Sequence, residues 1–345
     1  MVTIKEIAKA CKVSVATVSN IINDKPGASA ETRKLVLDKI EELHYTPNSV
    51  AKYLKKQSTE SIGVIAEDMT IFSIPDIIDG ITDSCEKHGY QILLVNLRLF
   101  KKYNDTYYAN DNYFDVVENA VKELLSKQVE GIIYVAAHER IIHCLPQQMK
   151  IPAIMAYGYS RRSDVPSIVV DDVQGAYDLI RYATQMGHEK IGIITGKQDS
   201  FHMQARLVGY QKAMLEAQIY CDASLICYGD WSREAGHDNT DYLLDKGVTA
   251  IFCMNDLMAG GVYDRLEERG MMPGKDISVM GYDNREVSGY YKPPLTTVNL
   301  PLHDIGYCAN EVIMGMLGKN EDSEFRPVYQ IPCKLEIRES IAQKT

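Results

Sequence analysis

Apolar residues along the chain follow two regimes. Over the first 46 residues they recur every three or four positions: Ile4, Ile7 and Ala8; Val18, Ile21 and Ile22; Val36, Ile40 and Leu43. Each set marks one face of a short helix, and each is preceded by a capping residue, Thr3, Ser14 and Ser29 in turn. The stretch "NDKPGAS" separates the second helix from the third, and "YTPN" ends the third, because Pro and Gly punctuate helices. Three small amphipathic helices with a tight turn between the first two make the helix-turn-helix plan.

From residue 61 the apolar residues come instead in continuous runs, each followed by a helix-like stretch: "SIGVIA", "QILLVN", "GIIYVA", "PAIMAY", "SIVVD", "KIGIITG", "AIFCMND" and "ISVMGYD". Strands apolar throughout, rather than at alternate positions, predict a parallel sheet covered by helices on both faces. About 285 residues of this pattern exceed one small α/β unit, so two doubly wound subdomains with a cleft between them are expected. Between the regimes, "NSVAKYLKKQSTE" (48–60) is polar and basic, with Val50, Ala51, Tyr53 and Leu54 as its apolar contacts. A helix this short is marginal alone in water, so it reads as a linker that turns helical when a partner holds it. The tyrosine-rich stretch "KKYNDTYYANDN" (101–112) is expected to be an exposed loop.

Apolar residues make up 46% and charged residues 24% of the 345, near the globular average, which argues against a disordered or fibrous chain. The N-terminus lacks a secretory signal pattern, and no run approaches the roughly 20 apolar residues of a membrane span, so a cytoplasmic protein away from membranes is expected. Eight cysteines without a Cys-x-x-Cys pair read as reduced thiols, and neither metal nor cofactor is expected. Eight dispersed histidines, no Gly-rich phosphate loop and no Gly-x-Ser-x-Gly motif argue against an enzyme. Charge adds more. Residues 1–60 hold ten Lys/Arg against seven Asp/Glu, net +3, whereas the rest holds 27 against 40, net −13. A slightly basic head on an acidic body lets only the head meet phosphate.

On a helical wheel, residues 15–22 put Val18, Ile21 and Ile22 on one side and Ala16 and Asn20 on the other, flanked by Thr17 and Ser19. No long side chain on that outward face holds the backbone away from a base pair. Asn20 has the donor and acceptor that pair with adenine, and Val15 and Ala16 suit thymine methyls. Hydroxyls of Thr3, Ser14, Thr17, Ser29 and Thr32 lie near helix N-termini and suit phosphate. Lys5 and Asn23 complete the candidate DNA contacts. Small residues are also what a plain helix surface carries, and the wheel alone leaves both readings open.

Taken in order, "TIKEIAKACKVSVATVSNIIN" and "SAETRKLVLDKIEELHYTPNSVAKYL" closely resemble the head of the lactose-repressor/galactose-repressor (LacI/GalR) family of bacterial transcription regulators, almost continuously from Val2 to Gly63. The resemblance implies that the second helix enters the major groove, where Val15, Ala16 and Asn20 read bases. It also implies a hinge helix formed on DNA, with Asn48 as cap, Ala51 against the minor groove and Leu54 as an apolar wedge that unstacks a base step. Two residues depart from the family pattern. Asn20 stands where arginine is common, and Lys12 stands in a positive-φ turn that favours glycine.

The resemblance continues through "GHEKIGIITG", "ARLVGYQKAM", "MNDLMAGGVYDRLEERG", "DISVMGYDN", "PPLTTVNLP" and "IRES". It implies a periplasmic-binding-protein-like core, two α/β subdomains joined by crossing strands with the ligand between them. Ligands in open α/β sheets bind outside the carboxyl ends of strands, and Asp68, Asn255, Asp256 and Asp283 stand at such ends. Asp256 is expected to cap the helix that follows. Arg206 opens the helix "ARLVGYQKAM", and Trp231 offers a face on which a sugar can stack. By resemblance Arg206, Trp231, Asn255 and Asp283 contact the effector, and Glu67, Ile71, Phe72, Tyr157 and Val170 line the same pocket. Glu67 stands where the family is usually small or neutral, and Tyr157 where it is often acidic.

The expected protein is a repressor with a helix-turn-helix domain at 1–46, a hinge at 47–60 and an effector-binding, dimerising core at 61–345. The N-subdomain is expected over about 61–160 plus 295–320 and the C-subdomain over about 161–290 plus 321–340. A homodimer on a palindromic double-stranded operator is expected, since one head of net charge +3 makes few phosphate contacts. With no apolar heptads after the last strand, the chain reads as a dimer, associated with the nucleoid when bound. Its effector is expected to be a sugar or sugar derivative, a purine-type corepressor being the alternative. A solute-binding protein without a regulatory role shares the core but has no use for the head.

Overall fold

The computed structural model describes residues 2–45, 58–104, 107–109, 111–320 and 325–344. They form two units, divided between Thr59 and Glu60. The first contains α1 (Ile4–Ala10), α2 (Val15–Ile22) and α3 (Ala30–Glu42). Ile7, Ala8, Cys11, Val18, Ile21 and Val36 are buried together, and Ile4, Ile22, Ile40 and Leu43 pack around them. Each helix ends on a left-handed residue other than glycine: Lys12 (φ 54°), Asp24 (φ 52°) and His44 (φ 46°). A left-handed residue with a Cβ costs on the order of 1 kcal/mol. The turn offsets this by satisfying orphan carbonyls, as where Lys12 N–H donates to Lys9 (3.3 Å) and Val13 N–H to Ala8 (3.0 Å). The hinge residues Asn48, Ala51 and Leu54 lie outside the described residues.

The second unit contains β1 (Ser61–Ala66), β2 (Gln91–Asn96), β3 (Gly131–Val135), β4 (Ile141–Ile142), β5 (Ala153–Ala156), β6 (Tyr159–Ser160) and β7 (Ser167–Asp171). It continues with β8 (Ile191–Thr195), β9 (Ile226–Tyr228), β10 (Ala250–Cys253), β11 (Ser278–Met280), β12 (Thr297–Asn299), β13 (Val328–Pro332) and β14 (Lys334–Glu336). Its helices are α4 (Ser73–Lys87), α5 (Leu99–Tyr103), α6 (Phe114–Ser126), α7 (Asp172–Gln185), α8 (Phe201–Glu216), α9 (Arg233–Asp245), α10 (Asp256–Glu268) and α11 (Leu302–Met316). Six strands pair in the order β13-β7-β5-β3-β1-β2 and four in the order β11-β10-β8-β9, with parallel neighbours throughout. All eight apolar runs are strands. β1, β3, β8 and β10 are buried along their whole length, which is why they do not alternate.

The division between subdomains falls elsewhere than expected. β7 and β13 pair with each other, from Val328 opposite Ser167 to Pro332 opposite Asp171, and β7 also pairs with β5. Residues 167–171 and 328–332 therefore belong to the first subdomain, because the apolar run "SIVVD" is hydrogen-bonded only between those two strands. α11 packs on α4 in the same subdomain. A Cβ on Gly80 would stand 1.9 Å from the His303 carbonyl oxygen and one on Gly306 1.8 Å from that of Ile77, so the two helices meet backbone to backbone. The expected exposed loop at 101–112 is also corrected. α5 begins before it, Tyr107–Ala109 form a 3-10 turn, and Tyr107 is only 2% exposed, its ring packed in an apolar cluster against Tyr113 and its hydroxyl donating to buried Glu67. Among the described residues, no helix is long and apolar enough to cross a membrane.

Candidate DNA-reading face and effector cleft

In the head, the polar groups near the helix starts serve the helices first. Ser14 Oγ accepts from Thr17 N–H at 3.0 Å and pairs with the Thr17 hydroxyl at 2.8 Å. Ser29 does the same for Thr32, at 3.2 and 2.9 Å. Thr3 donates its N–H and hydroxyl to the Glu6 carboxylate, at 2.7 and 3.0 Å. Asn23 donates its amide to the Ser19 carbonyl at 2.7 Å, closing the end of α2. With these groups engaged, α2 turns Val18 and Ile21 inward and leaves Val15, Ala16 and Asn20 exposed, with Lys5 exposed on α1. The Asn20 amide makes no hydrogen bond among the described residues, so its donor and acceptor remain open to a base edge.

In the core, a cleft of about 310 Å³ lies where strand ends of the two subdomains face each other. Arg206, on the first turns of α8, is 2% exposed and lies with its guanidinium carbon 3.7 Å from the centroid of the Tyr282 ring. Its Nε donates to Asp172 Oδ1 at 2.8 Å, and its Nη1 donates to the Met254 carbonyl and, at 3.3 Å, to Asp283 Oδ1. Neither Arg206 Nη2 nor Asp283 Oδ2 makes a hydrogen bond among the described residues. Trp231 flanks them, its ring centroid 5.8 Å from that guanidinium. A Cβ on Gly196 would fall 2.0 Å from the Trp231 ring, so only glycine leaves the indole its seat. Tyr157 (φ 60°), Trp231 (φ 77°) and Asp283 (φ 101°) all line the cleft in left-handed backbone, the strain that gathers at binding sites.

Burial and charge act together on the titratable groups. Burial pushes Asp283 up to about 6 although Arg206 pulls it down. Burial also opposes ionisation of Asp172, but Arg206 and His202 outweigh it and hold this carboxyl well below its usual range. His202 Nδ1 sits 2.5 Å from Asp172 Oδ2. Glu139 is pushed up to about 7 by burial, against the attraction of His202, and burial holds His138 down at about 4. Glu139, Asp172 and His202 bring ligand atoms within 4.8 Å of one another, but Arg206 and His202 already supply the positive charge that Asp172 takes.

Of the residues expected here, Ile71, Phe72, Tyr157, Arg206, Trp231, Asn255 and Asp283 line the cleft, and Glu67 and Val170 do not. Glu67 is fully buried behind it, accepting from Tyr107 (2.5 Å), Tyr134 (2.7 Å) and the Ala137 N–H (2.7 Å) and holding Arg140 Nη2 at 2.5 Å. It thereby positions Arg140, which does line the cleft. Val170 donates its N–H to Glu139 at 2.9 Å and lines a different cavity. The cap of α10 is Asn255 rather than Asp256: its Oδ1 accepts from Met258 N–H at 2.8 Å, and its Nδ2 donates to the Trp231 carbonyl at 3.0 Å. Asp256 is claimed instead by the Thr297 hydroxyl at 2.6 Å and the Arg285 N–H at 2.6 Å. The sequence reading missed His138, Glu139 and Arg140, which follow β3 as Asp68 follows β1, so the same strand-end rule points to them. Lys197, after β8, and Asp230, after β9, were missed in the same way.

Known proteins match both units. Residues 3–48 match the family of bacterial regulatory proteins, lacI family, and residues 180–341 match the periplasmic binding protein-like domain. The chain is 33% identical over 350 residues, 100% of both chains, to the HTH-type transcriptional repressor PurR of Pasteurella multocida (strain Pm70). It is 30% identical over 345 residues to catabolite control protein A of Priestia megaterium, covering 98% of this chain and 99% of the relative. The lac repressor dimer bound to operator and the anti-inducer ONPF superposes with a TM-score of 0.76 at 26% identity, over 99% of each chain.

Proposed function

The chain belongs to the LacI family of bacterial transcriptional repressors, and we propose that a hydroxyl-rich effector, a sugar or sugar derivative, enters the core cleft and controls its hold on operator DNA. One observation carries this reading. Among the described residues, Arg206 Nη2 and Asp283 Oδ2 are a donor and an acceptor without a hydrogen bond, on two side chains already joined at 3.3 Å. A hydroxyl both accepts and donates, so adjacent sugar hydroxyls match such a pair, and the Trp231 ring and Phe72 supply apolar faces. A purine corepressor is the second reading, favoured by relatives named PurR and by the same flat faces.

On DNA, the proposal is a homodimer in the cytoplasm on a palindromic operator, with Val15, Ala16 and Asn20 at base edges and a hinge over 47–60. Leu54→Ala is expected to weaken specific operator binding far more than binding to random DNA, and equal losses would remove the wedge. For the cleft, a thermal-shift screen of the full chain against sugars, sugar phosphates and purines decides, since a ligand raises apparent stability by mass action. A sugar is expected to raise Tm in the wild type and not in Asp283→Asn. A shift with purines alone replaces the first reading by the second.

A further inference from the structure

A second cavity, of about 640 Å³, shares Glu139 with the effector cleft and is otherwise lined by different residues. Its walls are largely apolar. β4 and β7 bring Ile141 and Val170, and α8 brings Phe201 and Val208. The rings of Tyr159 and Phe201 stand 5.8 Å apart. Ile141, Phe201 and Val208 remain 47%, 37% and 51% exposed, so apolar side chains stand open around the cavity instead of closing on one another.

Two buried carboxylates line this cavity, and they differ in what they hold. Asp172 is engaged by Arg206 at 2.8 Å and by His202 at 2.5 Å. Glu139 is 6% exposed, and its Oε1 accepts from Val170 N–H at 2.9 Å. Its Oε2 makes no hydrogen bond among the described residues, and the nearest basic nitrogen, His202 Nδ1, is 3.9 Å away. A buried carboxylate is costly without a charged or hydrogen-bonding partner.

We propose that this cavity binds an organic ammonium ion carried on an aryl or branched aliphatic body. The ammonium N–H groups complete Glu139 through a charge-assisted hydrogen bond, the faces of Tyr159 and Phe201 attract the cation, and the body fills the apolar walls. Ser160, Arg161, Gln204 and Gln330 are the other polar side chains of the lining. Arg161 is exposed, where solvent screens its charge, whereas Glu139 is buried beside the apolar wall and Asp172 is already neutralised by Arg206 and His202. The proposal stands whatever the effector cleft binds.

Isothermal titration calorimetry of the full chain with 2-phenylethylammonium, in parallel with 2-phenylethanol, tests this. The amine is expected to bind at least tenfold more tightly than the alcohol. Val208→Arg, which places bulk and a cation at a half-exposed wall position, is expected to weaken amine binding at least tenfold, and Ile141→Arg, from β4, to do the same. Trp231→Ala, in the effector cleft, is expected to leave amine binding within twofold. Equal binding of amine and alcohol, or indifference to both arginine variants, overturns the proposal. Loss of amine binding in Trp231→Ala also overturns it, by placing the amine in the effector cleft. Both arginine positions are about half exposed, and circular dichroism of the variants checks that the fold is kept.

Discussion

The head and the effector cleft both present polar side chains to a partner, and they hold them in opposite ways. In the head the contacts are local: Thr3 with Glu6, Ser14 with Thr17 and Ser29 with Thr32 are each three residues apart, and Val15, Ala16 and Asn20, the positions proposed to read bases, stand outside these contacts in solvent. In the cleft the partners are distant in sequence, 34 residues for Arg206 and Asp172, 73 for Arg140 and Glu67, and 77 for Arg206 and Asp283. An exposed reader is removable at the cost of recognition alone. A cleft residue is not, since its loss leaves a buried charge without its counterion.

Removing the most heavily paired cleft residue should therefore cost the most. Arg206→Ala leaves Asp172 and Asp283 buried without their guanidinium, and is expected to destabilise the core by about 3–5 kcal/mol in urea unfolding of the full chain. Effector response is expected to vanish with it. A variant that unfolds like the wild type would show that the two carboxylates are not held as described.

The next effect is one of pH. Glu139, raised by burial to about 7, and Asp283, raised by burial to about 6, both lie above their ordinary values of 4.5 and 3.8. A raised acid binds its proton more tightly folded than unfolded, so its contribution to stability is present below about pH 4 and is lost as pH rises through 6 to 7. Asp172 is shifted down and acts the other way, losing its contribution only as pH falls below its ordinary 3.8. Glu139→Gln keeps an acceptor for Val170 and removes one titration. Its stability is expected to match the wild type near pH 4 and to exceed it by on the order of 2 kcal/mol at pH 8, read from unfolding curves at both values. A gap independent of pH would mean that Glu139 titrates normally.

The same difference in contact range explains what was legible beforehand. Helix faces, caps at Ser14 and Ser29 and the eight apolar strands rest on residues a few positions apart, and periodicity reports those directly. Glu67 follows a strand end as a ligand-binding acid would, yet Tyr107 and Tyr134, 40 and 67 residues away, close over it. Tyr107 sits in a polar stretch, yet its ring packs edge-on against Tyr108 and Tyr113 and under Arg140 while its hydroxyl reaches Glu67, contacts that its neighbours in sequence do not announce. Asn255 and Asp256 are equally good caps by residue type, and Thr297, 41 residues on, takes Asp256 out of contention. β13 has no apolar run to mark it, because "VYQIP" is partly exposed and ends in proline, and its strand character comes from the ladder with β7.

Within the head, one change separates holding from reading. Ser14→Ala removes the oxygen that accepts from Thr17 N–H, and is expected to lower head stability by about 1 kcal/mol in thermal unfolding. Operator affinity is expected to fall with it on every sequence alike, since the whole helix loosens. A loss confined to one base pair would instead make Ser14 a reader.

Asn20→Ala is the smallest change to the fold and the sharpest test of the comparison. The Asn20 side chain is exposed and carries no hydrogen bond among the described residues, so stability is expected to stay within about 0.5 kcal/mol. Its open donor and acceptor match N7 and N6 of adenine, and truncation is expected to relax preference at one base pair of each half-site by about 1–3 kcal/mol, leaving the other positions as they were. Selection of operator variants by the wild type and by Asn20→Ala reads this directly. Adenine is expected at that position for the wild type, whereas a preference for guanine, the partner of the arginine common there in relatives, would mean that Asn20 does not read the base it faces.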